Sequence, residues 1–153
     1  FVNMRENLEY TARRELEEET GVKGIVMEQI AAYGDYDRDP RSRVITTAYM
    51  ALVNKQDVRV RAGDDAADAV WCKVSLNFLE TGQEDGQTRN RYELVLENQS
   101  RKLCTRAVTE EAMKTDGIIR EQKYTVIEQG MTAADHAAII TQALLILKKR
   151  LEV

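Results

Sequence analysis

One short stretch near the start of the chain constrains the fold more than any other: residues 1–22, FVNMRENLEYTARRELEEETGV. Asn7 is a favourable N-cap, and Glu9 places a negative charge in what would be the first helical turn. Gly21 stands where a left-handed residue commonly ends a helix. The stretch therefore predicts a helix over residues 8–20.

Three glutamates of this predicted helix, Glu15, Glu18 and Glu19, share one face. At 100° of rotation per residue they fall within a sector of about 100°. Like charges at this spacing repel each other, so the arrangement is unfavourable unless a cation joins it. Mg²⁺ and Mn²⁺ prefer hard oxygen ligands and are held by clustered carboxylates, usually together with substrate phosphates. The cluster predicts a metal site.

The wider spacing of the stretch resembles the Nudix box, G-x5-E-x7-R-E-U-x-E-E-x-G-U, in which U is a bulky apolar residue. The matching residues are Glu6, Arg14, Glu15, Leu16, Glu18, Glu19, Gly21 and Val22. A merely solvated acidic helix would account for Glu9 and Glu17, which lie off the cluster, but not for this joint spacing. The opening glycine of the box would fall one residue before Phe1.

The resemblance implies the Nudix fold, an α/β (mixed α+β) structure in which a mixed β-sheet lies between helices as an α/β/α sandwich. It assigns roles to the box residues: metal-binding and catalytic Glu15, Glu18 and Glu19, an orienting Arg14, and structural Glu6 and Gly21. Such domains have strands before the box. We therefore expect either that the natural protein extends upstream, by roughly 40 residues, or that the missing strands come from elsewhere. The 153 residues alone are expected to be poorly folded or self-associated, and catalytically weak.

Composition favours a single domain over residues 1–153, incomplete at its N-terminus, because 43% of the residues are hydrophobic. The net charge of −4 argues against nucleic acid or an anionic membrane as the main partner. The two cysteines show no metal-binding spacing and suggest a reducing, cytoplasmic location. No apolar run is long enough to cross a bilayer.

Residues 34–43, GDYDRDPRSR, contain the only proline and form a polar loop. Composition alone leaves open whether this is a solvated turn or a binding loop. Together with the following RVITTAYMALV, the loop resembles ADP-ribose pyrophosphatase-like Nudix proteins and related regulators of NAD metabolism. The resemblance implies that Arg38, Arg41 or Arg43 contacts a substrate phosphate, a role suited to the planar guanidinium.

Apolar patterning around this loop predicts strands. Residues 24–33 form a short apolar run, and residues 43–53 are apolar on both alternating sets, which is typical of a central strand covered on both faces. A turn is expected at residues 55–57 and a half-exposed strand at residues 58–61.

Residues 63–71 form an acidic segment that ends at Trp71. Members of the resembled family recruit a further metal ligand or base from this region, and Asp64 or Asp65 is the nearest match, with Asp65 as the expected metal ligand. The alternative is an aspartate-rich turn. We expect Trp71 in the core, with stacking on adenine as the other reading.

Residues 76–117 depart from the family pattern and are interpreted as an insertion that serves as a lid, a binding loop or a dimer arm. The expected elements are a loop at 78–90, a hairpin of strands 92–97 and 103–108, a helical turn at 110–115, and a strand at 121–128. Glu80, Glu84 or Glu93 is either a mobile general base or a solvated side chain.

The last helix is expected over residues 133–151, capped by Thr132. Its buried stripe comprises Ile139, Ile140, Ala143, Leu144, Leu147 and Leu151. His136 is the only histidine, and without partner ligands it is interpreted as structural.

The first hypothesis for function is a Mg²⁺- or Mn²⁺-dependent, homodimeric hydrolase of a nucleoside diphosphate derivative, with ADP-ribose or a similar nucleotide sugar as its small-molecule substrate. The second is a sensor domain that binds ADP-ribose or a related NAD metabolite and regulates transcription. The complete set of box glutamates and the lack of a basic recognition helix favour the enzyme.

Overall fold

The architecture comes from a computed structural model that describes residues 1–58 and 70–152. The elements, in chain order, are α1 (Leu8–Thr20), β1 (Met27–Tyr33), β2 (Thr46–Ala51), a short 3-10 helix (Lys55–Asp57), β3 (Lys73–Glu84), β4 (Gln87–Asn98), β5 (Leu103–Asp116), β6 (Ile119–Glu128) and α2 (His136–Leu151). The strands form two antiparallel sheets, β1-β2 and β3-β4-β5-β6. This mixed α+β arrangement agrees with the predicted fold class.

The chain divides into two compact units. Unit 1 comprises Phe1–Gly34 and Ile45–Trp71, and it contains α1 and the β1-β2 hairpin. Unit 2 comprises Asp35–Val44 and Cys72–Val153, and it contains the four-stranded sheet and α2. All of the polar loop except Gly34 is therefore part of unit 2, although both strands that the loop connects belong to unit 1.

Helix α1 has the predicted bounds. It begins after Asn7, whose backbone is extended, and the Asn7 carbonyl accepts a hydrogen bond from the Thr11 amide at 3.0 Å. Gly21 adopts a left-handed conformation with φ of 74°, and its amide donates to the Glu17 carbonyl at 2.8 Å. A side chain at position 21 would be strained in this conformation, which explains why glycine ends the helix.

The β1-β2 hairpin confirms both strands but corrects one prediction. Strand β2 pairs with β1 from Met27↔Ala51 to Tyr33↔Thr46, and no strand among the described residues pairs with its other edge. Ala48 is the one residue of β2 that is buried. The prediction of a central strand covered on both faces is therefore wrong for the described part of the chain, because apolar alternation predicts burial only where both faces find partners.

The 3-10 helix confirms the turn expected at residues 55–57. The side chain of Asn54 caps it by accepting a hydrogen bond from the Gln56 amide at 3.1 Å. The strand expected at 58–61 lies outside the described residues beyond Val58.

Strands β3 and β4 occupy the segment that was expected to be a loop at 78–90. They are joined by a two-residue turn, Asp85-Gly86, in which both residues have positive φ, 51° and 72°. This backbone matches the right-handed twist of adjoining strands and is favoured by Asp-Gly. The loop prediction is wrong because polar side chains here pair across the strands, as Gln83 does with Thr88 at 2.8 Å.

Strand β5 replaces the helical turn expected at 110–115. Residues 110–113 pair with both neighbouring strands, as Glu110 does with Arg91 of β4 and Thr125 of β6, and residues 114 and 115 pair with β6. Backbone groups bonded on both sides cannot form a helical turn, so that prediction is wrong. The hairpin of 92–97 with 103–108 and the strand at 121–128 are confirmed as parts of longer strands.

Helix α2 begins at His136, three residues later than expected. Thr132 does not cap it, because its hydroxyl donates to the Gln129 carbonyl at 2.8 Å, and Ala134 has a φ of 45° that cannot continue a helix. Leu151 is exposed, so it is not part of the buried stripe.

The core of unit 2 forms where α2 covers one face of the sheet. Leu94, Ala107 and Ala137 form the buried cluster, and the partly buried residues packed against it are Leu76, Leu96, Val126, Ile140 and Leu144. Thr109 and Thr141 are fully buried and share a hydrogen bond of 2.8 Å between their hydroxyls. Neither described helix is long and apolar enough to cross a membrane.

Candidate metal and substrate site

The box arginine, Arg14, joins helix α1 to the segment before it. Its Nε and Nη2 donate to the two carboxylate oxygens of Glu6, each at 3.1 Å. Glu6 also accepts hydrogen bonds from the Thr11 hydroxyl at 2.9 Å and the Asn3 side-chain amide at 2.8 Å. The hydrogen bonds from Arg14 and then Asn3 lower the pKa of Glu6 to about 2. Glu6 therefore stays ionised and braces the loop before the helix.

The three carboxylates of the box lie on the exposed side of the same helix. Arg14 lies 3.1 Å from Glu15 and 3.0 Å from Glu18. The side chain of Glu19 is exposed and makes no hydrogen bond or ion pair with any other described residue.

The donor chemistry of these glutamates fits a hard divalent cation, because all three supply carboxylate oxygens. The side chains of Glu18 and Glu19 are exposed and can change rotamer at little cost. Among residues 1–58 and 70–152, no three His, Cys, Asp or Glu side chains already stand close enough together to hold a metal ion. Binding would therefore require these exposed carboxylates to converge.

Arg38 is the most buried arginine of the polar loop. Its side chain is 3% exposed, and its Nε and Nη2 donate to the two carboxylate oxygens of Asp135 at 2.9 and 2.5 Å. The bridge to Asp135 raises the pKa of Arg38, although burial opposes the charge. Asp135 precedes α2 directly, so the bridge joins residues 97 positions apart.

Arg41 and Arg43 lie on the outside of the loop. The Nε and Nη2 of Arg41 donate to the carboxylate of Asp39 at 3.0 and 2.7 Å, and the side chain of Arg41 remains 83% exposed. The Arg41 backbone amide also donates to Asp39 at 3.0 Å, and these bonds lower the pKa of Asp39. Arg43 is exposed as well. The two outer guanidinium groups are accessible to a ligand from solvent.

The sequence also assigned roles to four residues outside the box and the polar loop, namely Asp64, Asp65, Trp71 and His136. Asp64 and Asp65 lie outside the described residues. Trp71 is 38% exposed, so its prediction as a core residue is wrong, because no described neighbour covers enough of its large ring. His136 is exposed at the start of α2.

The candidate general bases, Glu80, Glu84 and Glu93, all take part in ion pairs. Glu80 lies 3.4 Å from Arg91, and Glu84 lies 3.2 Å from Arg89. Glu93 pairs with Arg106, and this contact lowers the pKa of Glu93. A lowered pKa makes a carboxylate a weaker base near neutral pH.

A charged cluster on the four-stranded sheet was not predicted. Arg89 and Arg91 both donate to the buried carboxylate of Glu110, at 2.6 and 3.1 Å. Burial raises the pKa of Glu110, but the two guanidinium groups outweigh burial and lower it overall. Two adjoining cavities of about 430 and 330 Å³ share Arg89 and Glu110 in their walls. We call Arg89, Arg91 and Glu110 the sheet clamp.

Comparison with known proteins decides the family. A family model described as NUDIX domain matches residues 1–92, which is more than half of the chain. The chain belongs to the NUDIX family. The match includes α1 with its box and the polar arginine loop, and it ends within β4 of the second sheet.

Two curated proteins resemble this NUDIX chain. The ADPR responsive transcriptional repressor NtrR of Acinetobacter baylyi is 41% identical over 56 residues, covering 35% of this chain and 22% of the repressor. The ADP-ribose pyrophosphatase of Methanocaldococcus jannaschii is 38% identical over 69 residues, covering 45% of this chain and 40% of the pyrophosphatase. The chain thus spans less than half the length of either relative. No solved structure matches it significantly.

Proposed function

We propose that this NUDIX protein is a hydrolase that requires Mg²⁺ or Mn²⁺ and cleaves the diphosphate linkage of a nucleoside diphosphate derivative, with ADP-ribose or a similar nucleotide sugar as substrate. The observation that carries the proposal is the exposed carboxylate face of α1, formed by Glu15, Glu18 and Glu19. The likeness to an ADP-ribose pyrophosphatase supports the choice of substrate.

In this proposal the glutamates hold the cation and Arg14 keeps them oriented. Arg14 is suited to that role because its guanidinium already contacts Glu15 and Glu18 while Glu6 fixes its other side. A bound divalent cation supplies positive charge to the leaving phosphate and lowers the pKa of an attacking water. Asp65 is proposed as a further metal ligand.

The outer arginines of the polar loop, Arg41 and Arg43, are proposed to bind a phosphate of the substrate. Their exposure supports this role, and Asp39 holds the guanidinium of Arg41 in one orientation. A guanidinium oriented in advance loses little conformational entropy when it binds phosphate, which strengthens binding.

The activity is proposed to be cytoplasmic, because both cysteines, Cys72 and Cys104, are free thiols. The protein is proposed to act as a homodimer on a small-molecule nucleotide. Light scattering would show twice the 17.4 kDa mass of one chain, whereas the mass of a single chain would exclude the dimer.

A sensor that binds ADP-ribose without cleaving it is the second candidate. The likeness to an ADP-ribose-responsive repressor favours it. The two candidates differ in one measurable respect: the hydrolase releases phosphate monoesters from ADP-ribose when Mg²⁺ is added, and the sensor does not.

The deciding experiment is a screen of nucleoside diphosphate derivatives with and without Mg²⁺, with released phosphate monoesters as the readout. Metal-dependent release from ADP-ribose is the expected result. Calorimetric binding of ADP-ribose without any release would instead favour the sensor. If the protein neither binds nor cleaves ADP-ribose, both candidates are excluded.

A further inference from the structure

The bridge between Arg38 and Asp135 has features that a phosphate-binding arginine lacks. The side chain of Arg38 is 3% exposed, and that of Asp135 is 18% exposed. Both oxygens of the carboxylate are occupied by the same guanidinium, at 2.9 and 2.5 Å. Arg41 also donates twice to a carboxylate, that of Asp39, but the side chain of Arg41 is 83% exposed and can reach a phosphate while that pair stays intact. The buried Arg38 could reach a phosphate only by leaving Asp135, and a largely buried carboxylate without its cation is strongly unfavourable.

The polar loop depends on such tertiary contacts for its conformation. Residues 34–45 contain no helix or strand, so the loop has no backbone ladder to fix it. The bridge attaches it to the residue that precedes α2. A second ion pair attaches its start to the sheet, since Lys123 of β6 lies 3.1 Å from Asp35, but both side chains are more than half exposed. The buried bridge is therefore the stronger of the two attachments.

We propose that Arg38 is a positioning residue, whose buried bridge to Asp135 holds the polar loop in the conformation that presents Arg41 and Arg43 to a substrate phosphate. Arg38 itself does not touch the substrate. This inference rests on the proposed binding role of the two outer arginines. It extends that role to a residue outside the loop and outside the matched NUDIX region, since Asp135 lies beyond residue 92.

The test uses Asp135→Asn, which keeps the size of the side chain and removes its charge, with Asp116→Asn as the matched control. Asp116 is exposed at the end of β5. The expected result is a KM for ADP-ribose raised roughly 10- to 100-fold with kcat changed much less, since a small displacement of a binding group weakens positioning by such factors. Asp116→Asn should leave both constants unchanged.

A double variant separates positioning from direct contact. If Arg38 acts only through Asp135, Arg38→Gln and Asp135→Asn should raise KM similarly, and the double variant should be no worse than either single variant. Arg38→Lys should restore part of the affinity because it keeps the charge. Additive effects, with Arg38→Gln much the larger, would assign Arg38 to direct phosphate binding and overturn the proposal.

Hydrogen exchange provides a readout that does not depend on catalysis. The amides of residues 35–44 should exchange faster in Asp135→Asn than in the parent protein, while the amides of the β4 and β5 core exchange at the same rate. If the parent protein neither cleaves nor binds ADP-ribose, the proposed function fails, yet faster exchange still supports the positioning role. Unchanged exchange in the loop overturns it. Thermal melting confirms that each variant is folded, and Arg38→Lys replaces any that is not.

Discussion

The proposed metal ligands lie in unit 1, whereas the most deeply buried side chains lie in unit 2. Unit 1 carries the box glutamates, but its most buried described side chain, Thr11, is still 6% exposed. Unit 2 contains several side chains that are 0–1% exposed, among them Leu94, Thr109 and Thr141. A residue that must bind ligand has to remain accessible, whereas a residue that stabilises the fold has to be covered. The predictions below test whether this division holds.

The largest effect is expected at the carboxylate face of unit 1. Glu19→Gln should lower kcat for ADP-ribose hydrolysis roughly 10²- to 10³-fold, a loss typical of removing one group that stabilises charge in the transition state. The fold should be unaffected, because Glu19 is exposed. Steady-state kinetics and circular dichroism check both expectations.

Glu17→Gln is the matched control for this prediction. Glu17 lies on the same helix and makes only an exposed ion pair with Lys23, at 3.0 Å. Such pairs contribute about 0–1 kcal/mol, so the variant should behave like the parent protein. A Glu19→Gln variant that keeps more than about a tenth of the parent's kcat would show that the cluster is not the catalytic metal site.

The next effect concerns stability in unit 2. A Cβ at Gly130 would lie 2.2 Å from the Arg106 carbonyl oxygen and 2.8 Å from the Thr105 hydroxyl, and φ is 60°. Gly130→Ala should therefore lower the free energy of unfolding by about 3 kcal/mol, as strain and overpacking combine. Denaturant titration measures the loss.

Gly24→Ala provides the comparison within unit 1. Gly24 has a similar φ of 67°, but a Cβ there would meet nothing within 4 Å. The loss should be about 1 kcal/mol, from the left-handed backbone alone. Equal losses of unfolding free energy for the two variants would mean that the close contact at Gly130 adds nothing to the cost of the left-handed backbone.

A smaller effect is expected at the polar loop. Arg41→Ala should raise KM for ADP-ribose about tenfold with little change in kcat, because phosphate contacts bind the ground state and the transition state alike. Arg120→Ala, which removes an exposed arginine elsewhere in unit 2, is the control. An unchanged KM in Arg41→Ala and in Arg43→Ala would return the loop to the reading of a solvated turn.

The smallest effect is a dependence of stability on acid. The pKa of Glu6 is lowered from 4.5 to about 2, first by Arg14, so its contribution to stability is present above pH 4.5 and is lost as the pH falls toward 2. Glu6→Gln should be less stable than the parent at neutral pH, and the difference should shrink across this window. Denaturant titrations at several pH values check it, with Glu9→Gln as the control, and a constant difference would contradict the prediction.

The sequence predicted α1 to the residue because its signals are local. The helix begins after Asn7, although the Asn7 side chain makes no capping hydrogen bond, and it ends at the left-handed Gly21, so both of its boundaries lie next to residues that favour a helix end. The hairpin around residues 98–101 was predicted for the same reason. The Asp85-Gly86 dipeptide is also a local signal for a two-residue turn between strands. The residues on both sides of it are polar, as in a loop, and for that reason the two strands were not predicted.

Other features depend on residues far apart in the chain. The residues around Glu110 are typical of a polar helical turn, but Glu110 lies in a strand that pairs with β4 and β6, and its carboxylate accepts hydrogen bonds from Arg89 and Arg91. Likewise, the bridge from Arg38 reaches a residue 97 positions away. The box supplied the candidate metal ligands, but no local pattern revealed which loop arginine is buried and which are exposed.

The sheet clamp also affects the register in which β4 pairs with β5. In the observed register Arg91 faces Glu110 and Glu93 faces Val108. Sliding β4 by two residues in one direction would set Glu93 against Glu110 and leave Arg91 opposite Ala112. Sliding it in the other direction would set Arg89 against Glu110, so the charge would still have an arginine opposite it. Long polar strands tolerate misalignment easily, so the clamp discourages slippage of β4 along β5 in one of the two directions as the strands assemble.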